Sequence, residues 1–196
     1  MKNLIFFIIS TFIFSFSSIG QENALVSKRK EVAFTNISLQ GASILLKKEV
    51  KPNVFIRNAF GFGGIQAVKN QTASIFNASL SYNIGKEKRK NLVKSLDFIH
   101  GPQYGLSVSF AQSKSKQTVN NNFESTNLNI APSFSYLLGI IYHFNDKIYV
   151  GLETMPYIST GLQYIQATNQ PTRTNLNSLQ FGASNYLGIT AGYRFK

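Results

Sequence analysis

The chain of 196 residues has no cysteine and no tryptophan, and only 8 acidic residues against 20 Lys and Arg. Without Cys there is no disulfide framework, no thiolate nucleophile, no thiolate metal site and no N-terminal cysteine to carry an acyl anchor. Two His and no cluster of Asp or Glu leave little from which to build a metal centre, and neither a metal nor a cofactor is expected. Charged residues make up 14% of the chain, well below the quarter or so that is usual. Beyond residue 20 there is no run of 18 apolar residues, so a polytopic helical membrane protein is excluded. What is abundant is 17 Phe, 9 Tyr and 14 Gly, with many Ser and Asn, a composition that suits an all-β chain of one domain.

The first twenty residues, MKNLIFFIISTFIFSFSSIG, place Lys2 ahead of an apolar run from Leu4 to about Phe16, with Ser18-Ile19-Gly20 before Gln21. That is the pattern of a secretory signal peptide, too short and too rich in Ser to span a membrane. Cleavage near Gly20 is expected, which leaves residues 21–196 as a single domain. Removing Lys2 leaves 19 basic against 8 acidic residues, a net charge of +11.

The rest of the chain has a period of two. From Leu179 to Phe195 one parity reads Leu179, Phe181, Ala183, Asn185, Leu187, Ile189, Ala191, Tyr193 and Phe195; the other reads Gln180, Gly182, Ser184, Tyr186, Gly188, Thr190, Gly192 and Arg194. Successive side chains of a strand point to opposite faces, so one face is apolar and the other small or polar. The same alternation runs from Leu128 to Phe144, from Ile148 to Tyr164, and in shorter form around Val54, Phe76 and Tyr104. These runs exceed the 5–6 residues or so of an average strand and reach the roughly 9–11 that a tilted membrane strand needs. The non-apolar face carries Gly, Ser and Asn, as a narrow lumen would, with the bulky residues turned outward. Aromatics gather at strand ends, at Tyr142, Phe144, Tyr149, Tyr164, Tyr193 and Phe195, as in an interfacial girdle. The alternative, a secreted soluble β-barrel binding an apolar ligand, needs only that inside and outside be exchanged.

Short polar breaks (48–53, 145–147) alternate with longer ones (68–72, 113–126, 167–174). The strands are expected at 23–30, 33–46, 53–67, 73–85, 102–114, 126–144, 147–166 and 175–195. That makes an eight-stranded antiparallel up-and-down transmembrane β-barrel with both termini on the periplasmic side. The basic segment KEKRKNLVKSLDFIHG (86–101) fits this scheme least. It reads as a solvated loop, or as a short amphipathic helix whose lysines rest on anionic headgroups. Nothing interleaves aromatics with charge as a nucleic-acid groove would.

The hairpin LGIIYHFNDKIYVGLE (138–153) and the ending LGITAGYRFK (187–196) resemble the small outer-membrane β-barrel domain family of Gram-negative bacteria, over roughly residues 37–196. The resemblance implies a monomeric barrel in the outer membrane, with lipid and lipopolysaccharide around it. In that family alternating aromatics near the C-terminus signal to the barrel-assembly machinery; Tyr193 and Phe195 match, although Lys196 follows. It implies no shared activity.

On the inward parity the ionisable residues are Arg57, Glu153, Arg194 and His143, all toward the periplasmic ends of their strands. A charge in a narrow lumen must be paired or hydrated, so Glu153 is expected to bridge Arg57 or Arg194. No Ser follows His143 in the spacing of a barrel esterase, and Gly61-Phe62-Gly63-Gly64 lies within a strand, not before a helix, so neither catalysis nor a phosphate loop is expected. The functional expectation is an outer-membrane barrel with a structural or surface-interaction role. A narrow, porin-like conduit for small solutes or ions is the alternative.

Overall fold

The computed structural model describes residues 29–38, 41–70, 73–117, 121–168, 173–176, 179–183 and 188–195. The expected signal peptide and nearly all of the expected strand at 23–30 lie outside them. The described chain is almost wholly strand: β1 Lys30–Ser38, β2 Gly41–Lys51, β3 Val54–Lys69, β4 Ala73–Val93, β5 Leu96–Gln117, β6 Asn121–His143, β7 Ile148–Thr154, β8 Pro156–Ser159, β9 Leu162–Ala167, β10 Arg173–Leu176, β11 Gln180–Ala183 and β12 Gly188–Phe195. The last six are two long strands in pieces. One breaks at Met155 and at Thr160-Gly161, the other across segments outside the description. Pro156 offers no amide hydrogen at the first break.

The ring closes. Each of β1 to β7 pairs antiparallel with its neighbour in sequence, β7 pairs with β12, and β12 pairs with β1. Eight strands therefore surround one lumen with no free edge at that level, which satisfies every backbone group of a membrane wall internally. The strands are strongly staggered. Thr35 pairs with Thr190, Thr190 with Gly151, Gly151 with Ile141, Ile141 with Asp97 and Asp97 with Asn91, so a path that begins inside β1 arrives near the end of β4. Stagger of this kind accompanies the strand tilt of about 35–45° in such barrels.

The two faces separate by chemistry. Phe34, Leu46, Phe62, Leu80, Tyr104, Phe134, Ile140, Leu152 and Ile189 are exposed on the outside, Ile189 at 66%. Inside, Ala33, Leu45, Ala59, Ile99, Leu137, Ile141 and Tyr149 form one buried cluster, and Glu31, Lys47, Arg57, Glu87, Gln103, Glu153 and Thr190 are buried with them. Higher in the lumen the lining is small and polar. Ser43 and Ser81 close on Gly61, and Asn83 and Ser133 close on Gly105, so that a Cβ at either glycine would overlap a neighbour.

Four expectations are corrected. The strand expected at 33–46 is two strands, β1 and β2. The inward residues Ala33, Thr35, Ser43 and Leu45 all share one parity, so an alternation count cannot see the reversal between them. The basic segment 86–101 is neither loop nor helix; it continues β4 and β5 around a turn at Lys94-Ser95. Period two is present there as Lys86, Lys88 and Lys90 alternating with Glu87 and Arg89, but a charged residue on both faces hides it from any hydropathy criterion. The loop expected at 113–126 is largely strand as well: Ser113 pairs with Ser125, Lys114 with Glu124 and Ser115 with Phe123. Both faces of that stretch meet water, so it too lacks an apolar stripe. Tyr149, placed in the aromatic girdle by its position at a strand end, points inward and is 1% exposed. Opposite it stands Gly192, where any side chain would strike the Tyr149 ring.

Candidate functional site

The lower lumen holds a chain of ion pairs to which each of the eight strands of the ring contributes. Its members are Glu31 from β1, Lys47 from β2, Arg57 from β3, Glu87 and Arg89 from β4, Asp97 from β5, His143 from β6, Glu153 from β7 and Arg194 from β12. They reach the lumen because each sits on the inward parity of its strand.

Arg57 is the centre. Its Nη2 donates to Glu153 Oε2 at 2.6 Å and its Nη1 to Glu87 Oε2 at 3.0 Å. Glu87 Oε2 also lies 2.7 Å from Lys47 Nζ, and its Oε1 accepts from Arg89 Nε at 2.7 Å. Arg89 then grips Glu31 with two parallel bonds, Nη2 to Oε2 at 2.6 Å and Nη1 to Oε1 at 3.0 Å. Glu31 Oε1 accepts a further bond from Arg194 Nε at 3.0 Å. Arg194 Nη2 is 3.5 Å from His143 Nδ1, and His143 Nε2 is 2.8 Å from Asp97 Oδ2. Aromatic faces complete the packing: the Arg89 guanidinium lies 3.8 Å from the Phe55 ring centroid, and Lys47 Nζ lies 5.4 Å from that of Tyr149.

Lys47, Arg57, Arg89 and Arg194 balance Glu31, Glu87, Glu153 and Asp97, four charges against four, so the cluster is formally neutral with His143 uncharged. Neutrality matters because an uncompensated charge in a dry lumen is strongly destabilising, whereas a forked, fully paired one is tolerated. Arg57 and Glu153 come from strands on opposite sides of the ring, so their bond runs across the bore. Leu45, Ile99, Leu137 and Ile141 pack into the same stretch. At this level the lumen is filled.

Sequence reasoning named Arg57, Glu153, Arg194 and His143. The structure puts all four in the one chain, with Glu153 on Arg57 and Arg194 on Glu31. It missed Glu31, Lys47, Glu87, Arg89 and Asp97. The signal that would have found them is the parity of charged residues within the lysine-rich stretch and across the unseen β1–β2 turn. Tyr193 and Phe195 lie on the outer face, half exposed, with ring centroids 5.1 Å apart in an edge-on contact. Among the described residues no three His, Asp or Glu are grouped to hold a metal ion.

The outer surface has its own order. Below the apolar band, Lys86, Lys88 and Lys90 stand exposed on the outward parity of β4. Lys30, Lys48, Ile56 and Lys86 follow one another across β1 to β4 in a single row of paired residues. A closed ring, an apolar exterior, a polar and ionic interior and a cationic collar leave one architecture. The fold is that of an outer-membrane β-barrel. A soluble barrel with an apolar interior is overturned by the exposed Ile189 and Phe134; Leu187 lies outside the described residues.

No family model matches the chain, and no curated protein matches it by sequence. Among solved structures the barrel is similar to a major outer membrane protein from Thermus thermophilus, at 9% identity over 87% of this chain and 100% of that one, with a TM-score of 0.47. It is similar to CarO2 of Acinetobacter baumannii, at 10% identity over 88% and 100%, with a TM-score of 0.45. It is also similar to Ail, the attachment invasion locus protein of Yersinia pestis, at 12% identity over 86% and 97%, with a TM-score of 0.43. Scores this low leave the barrel assignment resting on the chain's own ring of pairings and its two faces.

Proposed function

We propose that the chain is an outer-membrane protein whose barrel is a sealed, non-catalytic support for a structural or surface-interaction role. Export through the Sec route, with cleavage of the leader near Gly20, belongs to this reading. So do a monomeric barrel surrounded by phospholipid and lipopolysaccharide, and insertion by an assembly machinery that recognises Tyr193 and Phe195. The observation that carries it is the ion cluster: all eight wall strands contribute to it, and the Arg57–Glu153 bond crosses the bore. A filled lumen suits a support, not a conduit.

The surface that such a support presents lies at the opposite end. There β3, β4, β5, β6, β9 and β10 continue in order past the closed ring as one sheet. Among the described residues β10 pairs with β9 alone, and β3 beyond Gly63 pairs with β4 alone, so two backbone edges stand open. Ile65, Val68, Ile75 and Phe123 are exposed on this sheet. Unpaired edges with apolar residues beside them are surfaces that take partners.

Planar-bilayer recording of the refolded protein tests the reading. The expected result is no steady single-channel current. Steady current from the unaltered protein would replace the support with a conduit.

A further inference from the structure

On the lipid-facing side, where β12 seals the ring between β1 and β7, the wall is hollowed. Val32 and Phe34 of β1, Ile148 and Val150 of β7, and Ala191, Tyr193 and Phe195 of β12 line a cavity of about 330 Å³. Its shape follows from the register. Ala191 stands between Phe34 and Val150 in one row of paired residues, and Tyr193 between Val32 and Ile148 in the next, so a methyl group lies among large side chains and forms the floor.

The mouth of the hollow is cationic. Lys30 is two residues below Val32 on the same outward parity, paired with Phe195 on one side and Lys48 on the other. Neither Lys30 nor Lys48 joins an ion pair among the described residues. This contrasts with Lys47, next in sequence to Lys48 and on the opposite face, whose ammonium is committed to Glu87 in the lumen.

We infer that this hollow is a binding site for one anionic glycerophospholipid of the periplasmic leaflet, with an acyl chain over Ala191 and the phosphate between Lys30 and Lys48. The inference rests on the outer-membrane reading above. Charge complementarity selects the occupant. A groove lined by apolar groups and open to the bilayer takes an acyl chain of any lipid, but two ammonium groups outside every ion pair of the described residues favour an anionic one. Position selects the leaflet. The hollow lies at the end of the short turns 51–54, 94–95 and 144–147, where β1 begins and β12 ends, which is the periplasmic end of such barrels.

The test is native mass spectrometry of the full barrel released from nanodiscs of phosphatidylcholine and phosphatidylglycerol in equal amounts. Heat-modifiable gel mobility is recorded first for every variant. The expected result is one phosphatidylglycerol retained per barrel in preference to phosphatidylcholine. Lys30→Gln with Lys48→Gln should cut that preference about tenfold or more, taking roughly 1 kcal/mol per lysine near the surface. Ala191→Phe, which fills the floor and leaves the lysines, should lower retention of both lipids. A barrel that folds and inserts but holds the two lipids equally, or whose retention ignores both variants, overturns the site and leaves the outer-membrane reading standing. In a second set of nanodiscs that also contain lipid A in equal amount, lysine-dependent retention of lipid A over phosphatidylglycerol overturns the assignment of leaflet. Failure of the unaltered chain to insert into the nanodiscs overturns both.

Discussion

The two ends of this barrel solve the problem of an enclosed polar interior in opposite ways. In the lower lumen the residues are large and charged, most are buried, and cations and carboxylates are linked from strand to strand. In the upper lumen the described inward positions are Ser, Gly and Asn, most of them partly exposed, and β3 to β6 continue past the ring with β9 and β10 as one sheet. The difference shows where stability resides. Below, side chains have exchanged water for one another, so removing one partner strands the rest. Above, polar groups keep their water, and a lost contact is replaced by solvent.

That contrast is broken most severely at Glu87, which touches Lys47, Arg57 and Arg89. Glu87→Ala should destabilise the refolded barrel by about 3–5 kcal/mol, because it leaves buried cations unpaired. Urea unfolding in detergent, followed by tryptic protection, measures it. The next largest effect belongs to the outer wall. Ile189→Arg puts a charge against hydrocarbon and should cost up to about 2–4 kcal/mol in lipid vesicles. Gly192→Val should follow at about 1–3 kcal/mol, since the new side chain must displace the Tyr149 ring from beneath Arg89 and Lys47. Thermal loss of heat-modifiable mobility would rank it against the first two. The smallest change is expected at the exposed pair of Lys114 and Glu124 on the upper sheet. Lys114 and Gln112 hold the Glu124 carboxyl below its ordinary range. The small stabilisation this brings is present above the ordinary glutamate range and fades as pH falls through the lowered one. Glu124→Gln should leave the urea midpoint almost unmoved at neutral pH.

How much of this was legible in the sequence depended on whether the two faces of a strand differ in hydropathy. Around Phe134, Ile140, Leu152 and Ile189 they differ sharply, and alternation alone assigned both the strands and the outward side. Where both faces are charged, as at Lys86 to Lys90, or both are wet, as at Ser113 to Ser115 and Phe123 to Thr126, the same period is present but carries no apolar stripe, and a hydropathy pattern shows no strand. The β1–β2 reversal escaped because the inward residues on either side of it share one parity. Those blind stretches hold Glu31, Lys47, Glu87 and Arg89, four of the nine members of the ion cluster. Arg57, Glu153, Arg194 and His143 were visible because they interrupt otherwise small, uncharged lumen faces. Position at a strand end suggests the girdle for Tyr149, whereas parity places it inside, where Gly192 opposite leaves room for the ring.

The most direct test of the whole account uses the absence of cysteine. A single Cys introduced at 189 or at 190, labelled with an environment-sensitive fluorophore and reconstituted in vesicles with nitroxide-bearing acyl chains, reports which of two adjacent residues touches lipid. The label at 189 should be strongly quenched and the label at 190 little affected. Equal quenching at the two positions, or quenching at 190 alone, would contradict the account.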